Sequence, residues 1–249
     1  MYQQERMDEI LKILKKYNYV TVDFLVEKIN YSPASIRRDL TLLQKQGLVV
    51  RSYGGVRLND ANSAPFRFRQ HSMKIEKNKM AQAAADLVKE NDVVYLDGGS
   101  TIQYIGHFLT EKKKITVLTC NILLADYLSE HGIVTYCTGG RIVEYPGILG
   151  GQIMQNTLAN FNVDIAFFSS NAFTLDGKIL SSTENAAYVH KCIRKTAKKL
   201  VYLCGSDKIG GSGNFVDMTL DDIDYLISDG DLPENLKKEY NNTKFIVAK

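Results

Sequence analysis

The chain has 249 residues, enough for a large hydrophobic core, and it divides most naturally into a small module and one larger domain. Its net charge of +3 is uneven: residues 1–58 contain ten lysines and arginines against six acidic residues, a charge of +4, whereas the remaining 191 residues carry −1. This asymmetry disfavours a protein that coats nucleic acid or an anionic membrane without sequence preference, because such a protein would be basic throughout.

Three helices are predicted at the start of the chain. Apolar residues recur at helical spacing over residues 3–17 and again over 20–29. A short connection then leads to Ser32, a good N-cap because its hydroxyl can accept a hydrogen bond from a helical amide, and Pro33 suits the first helical position. The third helix therefore begins here, and Gly47 marks its end.

One face of the third helix is apolar and the opposite face suits DNA. Ile36, Leu40 and Leu43 recur at spacings of four and three residues and should pack inward. The opposite side carries small, hydrogen-bonding and cationic groups, which can reach base edges or phosphates in a major groove. These residues are Ala34, Arg37, Arg38, Thr41 and Lys45. The alternative is a solvated helix with two adjacent arginines, but the two preceding helices favour a helix-turn-helix.

A two-stranded wing is predicted after this helix. Residues 48–51 have the pattern of a strand, and Gly54 and Gly55 supply a tight turn. Residues 56–58 can then return beside the first strand.

The run IRRDLTLLQKQGLVVRSYGG resembles the winged helix-turn-helix signature of the DeoR family of bacterial transcription regulators. That family commonly has valine, threonine, histidine and alanine where this chain has Tyr31, Ser35, Tyr53 and Val56. The resemblance implies that the third helix and the wing bind double-stranded operator DNA. The residues predicted to contact DNA are Ser32, Ala34, Ser35, Arg37, Arg38, Thr41, Lys45, Arg51, Tyr53, Gly54 and Gly55.

The boundary between the two domains is predicted at the polar stretch NDANSA, which Pro65 follows. We therefore expect a DNA-binding domain at 1–58, a linker at 59–70, and an effector-binding and oligomerisation domain at 71–249. The four cysteines and four histidines are scattered and form no CxxC pair, so neither a metal site nor a cofactor is predicted.

The compartment is predicted to be the cytoplasm. Single cysteines inside apolar runs are typical of small buried side chains in a reducing compartment. No apolar run approaches the roughly 20 residues that span a bilayer, so no membrane partner is expected.

From Lys77 onward, short apolar runs alternate with helical patterns. The runs are VVYL, ITVLT, IVTYCT, VDIAFF, KLVYLC, DYLIS and KFIVA. Continuous apolar strands separated by helices predict an α/β fold with a mostly parallel sheet covered on both faces. Ligands of such sheets bind beyond the carboxyl ends of the strands.

The loop DGGST at residues 97–101 follows the first of these strands and is a candidate anion site. Backbone amides at a helix start, glycines that allow close approach and two hydroxyls suit a phosphate group. The loop has neither the Walker lysine spacing nor a GxGxxG pattern, which disfavours nucleotide binding. The same residues also fit a simple strand-to-helix turn. Arg141, which follows two glycines after a later strand, can supply a countercharge or lie on the surface.

The second domain resembles the DeoR-family effector domain, which is similar to ribose-5-phosphate isomerase and binds phosphorylated sugars. The segments LDGGST, LTCN, TGGRI, NVDIAFF, TEN and DKIG fall in the family's order. The departures are Asp207, where serine is usual, and Ser169, Ser170 and Asn171 in the loop after VDIAFF. The effector-binding residues that the resemblance implies are Asp97, Gly98, Gly99, Ser100, Thr101, Thr119, Asn121, Gly139, Gly140, Arg141, Glu184 and Lys208.

The function that these observations favour is a transcriptional repressor of a carbohydrate operon, relieved by a phosphorylated sugar. A homodimer or homotetramer is expected, because paired half-sites multiply the specificity of one short helix. The alternative is a sugar-phosphate isomerase or deaminase with a DNA-binding appendage, for which Asp97, Glu184 or His190 can be nominated as the base. The isomerases carry an acidic cluster where this chain has Ser169, Ser170 and Asn171, so no enzyme activity is predicted.

Overall fold

The computed structural model describes residues 2–17, 19–52, 55–58, 66–71, 73–144 and 146–248. The chain divides into two compact units, Met1–Ser72 and Met73–Lys249, which we call the first and second units. Each has a hydrophobic core cluster. No helix in the described ranges has both the length and the apolar composition needed to cross a lipid bilayer.

The first unit combines three helices with a small antiparallel sheet. Its elements are α1 (Gln3–Tyr17), β1 (Tyr19–Val20), α2 (Val22–Ile29), α3 (Pro33–Lys45), β2 (Val49–Ser52), β3 (Gly55–Leu58) and α4 (Phe66–His71). Strand β3 pairs antiparallel with β2 and with β1. The predicted helix-turn-helix and wing are confirmed. Strand β1 was not predicted, because two residues are too few to show a period.

Local hydrogen bonds explain where the helices of this unit begin and end. The hydroxyls of Thr21 and Ser32 accept from backbone amides three residues on, at 3.1 and 3.2 Å. Asn30 adopts a left-handed conformation with φ of 55° and ends α2. The inner faces of the three helices meet in a hydrophobic core that includes Ile10, Leu14, Leu25, Ile36, Leu40 and Leu43.

Part of the predicted linker is helical. Residues 59–65 lie outside the described ranges, but Phe66–His71 forms α4, and the second unit begins at Met73 rather than at residue 71. A six-residue helix shows fewer than two turns of periodicity, so the sequence pattern gave no sign of it.

The second unit is an α/β domain. Its elements are α5 (Lys74–Ala85), β4 (Val93–Leu96), α6 (Ile105–Leu109), β5 (Thr116–Thr119), α7 (Ile122–Glu130), β6 (Val134–Cys137), β7 (Arg141–Glu144), β8 (Ile148–Gly150), α8 (Gln152–Ala159), β9 (Ile165–Phe168), β10 (Ala172–Phe173), β11 (Lys178–Ser181), α9 (Glu184–Thr196), β12 (Leu200–Cys204), β13 (Phe215–Thr219), β14 (Tyr225–Ser228), α10 (Glu234–Glu239) and β15 (Lys244–Val247). Short 3-10 helices cover Ile102–Tyr104, Ser206–Lys208 and Leu220–Asp222.

A seven-stranded sheet organises this domain. Its strands lie in the order β15-β14-β12-β9-β4-β5-β6, and every neighbouring pair is parallel. All residues of β9 and β12 are buried, as expected of strands covered on both faces. The predicted parallel sheet is therefore confirmed. The chain runs from β4 to β5 and β6 on one side and later adds β9, β12, β14 and β15 on the other. A crevice is expected between the loops after β4 and β9.

Two smaller antiparallel pieces were not predicted. Strands β10, β11 and β13 form one sheet, and β7 and β8 form a hairpin. The hairpin lies along the loop after β5, where the amide of Leu149 donates to the carbonyl of Cys120 at 2.8 Å and that of Ile122 donates to Gly147 at 2.9 Å. This hairpin forms one wall beside the carboxyl edge of the parallel sheet.

Candidate DNA interface and effector site

The outer face of α3 is exposed and cationic. Ala34, Arg37, Arg38, Thr41 and Lys45 are all exposed, whereas the inward-facing Ile36, Leu40 and Leu43 are fully buried. Among the residues that the structure describes, no acidic side chain pairs with either arginine or with Lys45. Three cationic groups are thus available to phosphates or base edges on one side of this helix.

The helix and the wing are joined by Thr41. Its hydroxyl donates to the carbonyl of Arg37 at 2.8 Å and accepts from Nη1 of Arg51, in β2, at 3.1 Å. Ser32 and Ser35 bond to each other at the start of α3, with their hydroxyl oxygens 2.9 Å apart.

Gly55 is required by packing. A Cβ at this position would lie 2.4 Å from the ring of Tyr19 and 2.7 Å from the carbonyl of Val20. The other wing residues predicted to contact DNA, Tyr53 and Gly54, lie outside the described residues.

A buried ion pair holds the recognition helix in place. The carboxylate of Asp39 is completely buried and accepts from Nη2 of Arg6 at 3.1 Å and from Nε2 of Gln3 at 3.1 Å. The hydrogen bond to Asp39 raises the pKa of the Arg6 guanidinium, which also lies 4.4 Å from the ring centre of Tyr31. The sequence analysis missed this pair. The available signal was that position 39 falls beside Leu40 on the apolar face of α3.

The loop after β4 lies beside the end of β9, which is the place where the sheet topology predicts a crevice. Asp97, Ser100 and Thr101 are nearly buried, and the amide of Asp97 donates to the carbonyl of Phe167 at 3.1 Å. The structure thereby brings the DGGST loop beside the end of β9. The chain after the loop continues into a 3-10 turn and then α6.

The two glycines of this loop are closely surrounded. A Cβ at Gly98 would lie 2.6 Å from Cγ2 of Ile148 in the hairpin, and a Cβ at Gly99 would lie 2.7 Å from Oγ of Ser169 after β9. Glycine at both positions lets the walls approach the loop.

Two lysines flank the loop. Nζ of Lys208 donates to Oγ of Ser169 at 3.5 Å, which places the ammonium next to Gly99. Nζ of Lys77 donates to Oγ of Ser100 at 3.3 Å, and the Lys77 residue is only 7% exposed. The sequence analysis did not identify Lys77. The feature of the sequence that could have identified Lys77 is its spacing. It lies three residues before Met80 and four before Ala81, and thus on the buried face of α5.

Thr119 and Asn121 lie at the end of β5, with their side-chain oxygens already engaged. Asn121 caps α7 by accepting from the amides of Leu123 and Leu124 at 3.0 and 3.2 Å, and its own amide donates to Oγ1 of Thr119 at 3.1 Å. Nδ2 of Asn121 is buried and has no hydrogen-bond partner among the described residues. This nitrogen is the polar group of Asn121 whose hydrogen-bonding capacity is unused in the described part of the chain.

The remaining predicted site residues lie on the hairpin side. Gly139 and Gly140 have φ of 71° and 111°, and a Cβ at Gly140 would lie 2.6 Å from the carbonyl oxygen of Gly150. Arg141 begins β7, is exposed and pairs in register with Gly150. Glu184 begins α9 and is also exposed. Its neighbour Asn185 accepts from the amide of Gly151 at 3.1 Å, so the start of α9 lies beside the hairpin.

A buried histidine lies behind the loop, between two carboxylates. Nδ1 of His190 is 2.7 Å from Oδ2 of Asp217, and Nε2 is 3.4 Å from Oδ2 of Asp97. Ser181 donates to the same oxygen of Asp217 at 2.6 Å, and the hydroxyl of Tyr95 donates to Oδ1 of Asp97 at 3.3 Å. We call Asp97, His190 and Asp217 the carboxylate–histidine cluster.

The cluster keeps its histidine protonated at neutral pH. Burial alone lowers the pKa of His190, but hydrogen bonds to Asp217 and Asp97 more than offset it and raise the pKa from 6.5 to about 9. Burial also raises the pKa of Tyr95 and of Cys120 well above their ordinary values. Within the described residues, no group of three or more histidine, cysteine, aspartate or glutamate side chains is arranged to bind a metal ion.

Comparison with known proteins covers both units. Residues 6–62 match the DeoR-like helix-turn-helix domain, and residues 72–230 match the DeoR C terminal sensor domain. The HTH-type transcriptional repressor GlcR of Bacillus subtilis (strain 168) is 31% identical over 92% of this chain and 89% of its own length. The glycerol-3-phosphate regulon repressor of Haemophilus influenzae is 25% identical over 100% of this chain and 98% of its own.

Among solved structures, ribose 5 phosphate isomerase A from Neisseria gonorrhoeae is similar to part of this chain. The TM-score is 0.40 and the sequence identity 14%, over 54% of this chain and 53% of the isomerase. A likeness at this level carries no argument about activity.

Proposed function

We propose that this chain, which belongs to the DeoR family of DNA-binding transcriptional regulators, represses genes of carbohydrate uptake or catabolism and is released from its operator by a phosphorylated sugar. The observation that carries the proposal is the loop at 97–101 with two lysines beside it, Lys77 at Ser100 and Lys208 at Ser169. Two relatives that span nearly the whole chain are named repressors, and the name of one concerns a phosphorylated three-carbon polyol.

The DNA half of the proposal rests on α3. Its exposed arginines and Lys45 present positive charge without an acidic partner among the described residues, as binding to phosphates or guanine edges requires. Arg51 extends the same surface onto the wing through its bond to Thr41. Residues of the wing turn complete the proposed interface.

The effector half rests on charge and on backbone amides. A phosphate seated on the loop would meet amides at the start of the 3-10 turn and the hydroxyls of Ser100 and Thr101. Lys77, next to Ser100, and Lys208, next to Ser169, would supply countercharges. Because Lys77 is largely buried, a phosphate dianion there would interact with it more strongly than in water.

Coupling between the two sites follows from linkage. We propose that the effector favours an arrangement of subunits whose recognition helices no longer match their half-sites, so that effector binding lowers the affinity for DNA. DNA binding must then lower the affinity for the effector by the same factor, and the coupling free energy is typically about 1–3 kcal/mol. This mechanism requires a homodimer or a homotetramer, which we include in the proposal.

Regulation rather than catalysis is the better interpretation of the second unit. A general base must be unprotonated at the operating pH. His190 holds its proton up to about pH 9 and is 1% exposed, so it does not supply that base. The other two residues nominated as a base are Asp97 and Glu184. Asp97 already accepts hydrogen bonds from His190 and Tyr95. Glu184 is an exposed residue at the start of α9.

The experiment that tests the proposal is fluorescence anisotropy of the full chain on its own upstream DNA at fixed salt. The titrants are ketose and aldose phosphates and their unphosphorylated parents. We expect one phosphosugar to weaken DNA binding while its parent sugar has no effect. Tight DNA binding that no phosphosugar changes would contradict the effector assignment.

A matched pair of variants locates the phosphate. Lys77→Met keeps the buried stem and removes the ammonium, so we expect at least tenfold weaker effector binding with operator affinity unchanged. Lys79→Met removes an exposed lysine from the same helix and should behave as the wild type. Equal effector affinity in the two variants would show that Lys77 does not contact the phosphate.

A further inference from the structure

The carboxylate–histidine cluster lies directly behind the effector loop. Asp97 immediately precedes Gly98 and Gly99, whereas His190 comes from α9 and Asp217 from β13. The cluster thus joins the loop to two elements that follow it by about 90 residues or more in sequence. The side chains of His190 and Asp217 are 1% and 0% exposed, and that of Asp97 is 11% exposed. Asp97 is therefore the member of the cluster that a ligand can reach.

The geometry identifies His190 as an imidazolium. Both ring nitrogens face a carboxylate oxygen, at 2.7 Å on Asp217 and 3.4 Å on Asp97. A neutral imidazole has one donor and one acceptor, so one nitrogen lone pair would face a carboxylate. Only the doubly protonated ring donates to both carboxylates. Phe168, whose ring centre is 4.9 Å from that of His190, contributes no charge on the remaining side.

These donors fix Asp97 as a hydrogen-bond acceptor. His190 donates to its Oδ2, whereas Tyr95 and the thiol of Cys120 donate to its Oδ1 at 3.3 and 3.8 Å, all from within the protein. An ionised carboxylate has about four acceptor positions, so these donors leave room for one more on the exposed side. A ligand group on this side must donate a hydrogen bond, as a hydroxyl does.

The net charge of the cluster is negative. Two carboxylates and one imidazolium sum to −1. In addition, Oδ1 of Asp217 is buried and has no hydrogen-bond partner among the described residues. A ligand carboxylate cannot donate a hydrogen bond to Asp97. The negative charge of the cluster would also repel it at short range, because little water is present here to screen the two charges. For the effector phosphate, the positive charges of Lys77 and Lys208 beside the loop offset this negative charge.

We propose that Asp97, held by His190, selects an effector that bears a hydroxyl, and not a carboxylate, beside its phosphate-bearing carbon chain. The effector class is a sugar or polyol monophosphate, and the corresponding phosphorylated sugar acids are rejected. His190 is a positioning residue, since it acts through Asp97. This inference rests on the proposed function, because it requires phosphate on the loop at 97–101.

Two ligand pairs test the selection by isothermal titration calorimetry on the full chain. Glycerol 3-phosphate and 3-phosphoglycerate differ by a hydroxymethyl group and a carboxylate, as do glucitol 6-phosphate and 6-phosphogluconate. In at least one pair we expect the polyol phosphate to bind at least tenfold more tightly than the acid, and more tightly than inorganic phosphate.

Variants separate selection from loop integrity. Asp97→Asn supplies an amide donor and should reduce the preference to about threefold or less. His190→Gln should reduce it in the same direction, while the affinity for inorganic phosphate stays within about twofold of the wild type. Asp217→Asn tests the same effect from the far side of the cluster. The matched control is His131→Gln, an exposed histidine on the end of α7.

The outcomes distinguish the two proposals. Failure of inorganic phosphate and every organic phosphate to bind would overturn the proposed function itself. Equal binding within both pairs, or polyol phosphates no tighter than inorganic phosphate, would overturn the selection by Asp97 alone. A His190→Gln chain that keeps its circular dichroism but loses inorganic phosphate as well would show that His190 supports the whole loop, and the selective role would be wrong.

Discussion

The protonated state of His190 predicts that the second unit loses stability in mildly alkaline solution. The pKa of His190 is about 9 in the folded chain, against 6.5 for an ordinary histidine. Above pH 6.5 the unfolded chain has released a proton that the folded chain keeps. The stabilisation is therefore complete below pH 6.5 and is lost as the pH rises through 9. At about 1.36 kcal/mol for each pH unit, this interval corresponds to about 3 kcal/mol.

Urea unfolding of the full chain at pH 6.5 and pH 9.5 measures this loss. The chain has no tryptophan, so near-ultraviolet circular dichroism reports on buried tyrosines such as Tyr95 and Tyr202 of the second unit. Burial raises the pKa of both phenols well above 10, so they do not titrate in this interval.

Two variants decide whether His190 is the titrating group. His190→Gln should abolish most of the difference between the two pH values, whereas His131→Gln should retain it. NMR titration of labelled histidines gives the pKa directly. If the unfolding free energy of the wild type falls by no more than that of His190→Gln, the imidazolium assignment is refuted.

Two further predictions concern the first unit. Arg38→Ala should weaken operator binding by about 1–3 kcal/mol per subunit and leave phosphosugar binding intact, as anisotropy and calorimetry can establish; loss of both would identify Arg38 as a folding residue. Asp39→Asn should destabilise the first unit by about 3–5 kcal/mol in thermal unfolding, because Arg6 is left buried without its countercharge. The exposed control Glu27→Gln should change stability by less than about 0.5 kcal/mol, and a similar loss in both variants would contradict the role of the ion pair.

Features set by local chemistry could be predicted from the sequence. Ser32 and Pro33 mark the start of α3, and the spacing of its apolar residues separates the buried face from the exposed arginines. Short apolar runs between helices predicted the parallel sheet, whose topology in turn brought the loops after β4 and β9 together. These inferences hold because each depends on residues a few positions apart or on the geometry common to parallel sheets.

Pairings between distant residues could not be predicted. Arg6 and Asp39 are 33 positions apart, and Asp97 and His190 are 93 apart. A lone histidine in a helix gives no sign of the carboxylates that will face it. The hairpin of β7 and β8 was missed because RIVE begins and ends with a charged residue and ILG has only three residues, so neither stands out as a continuous apolar run. The assignment of individual residues to the DNA and effector contacts stays a prediction.

The unequal burial of the candidate effector site bears on how its specificity can change during evolution or design. Lys77, Asp97 and Ser100 are nearly buried, so substitutions there disturb packing as well as binding. Arg141 and Glu184 are exposed, and replacing them costs little folding free energy. On the proposed function, a library that randomises the hairpin edge and the first turn of α9, with the loop kept constant, is expected to sample new sugars while the folded scaffold and its phosphate affinity are retained.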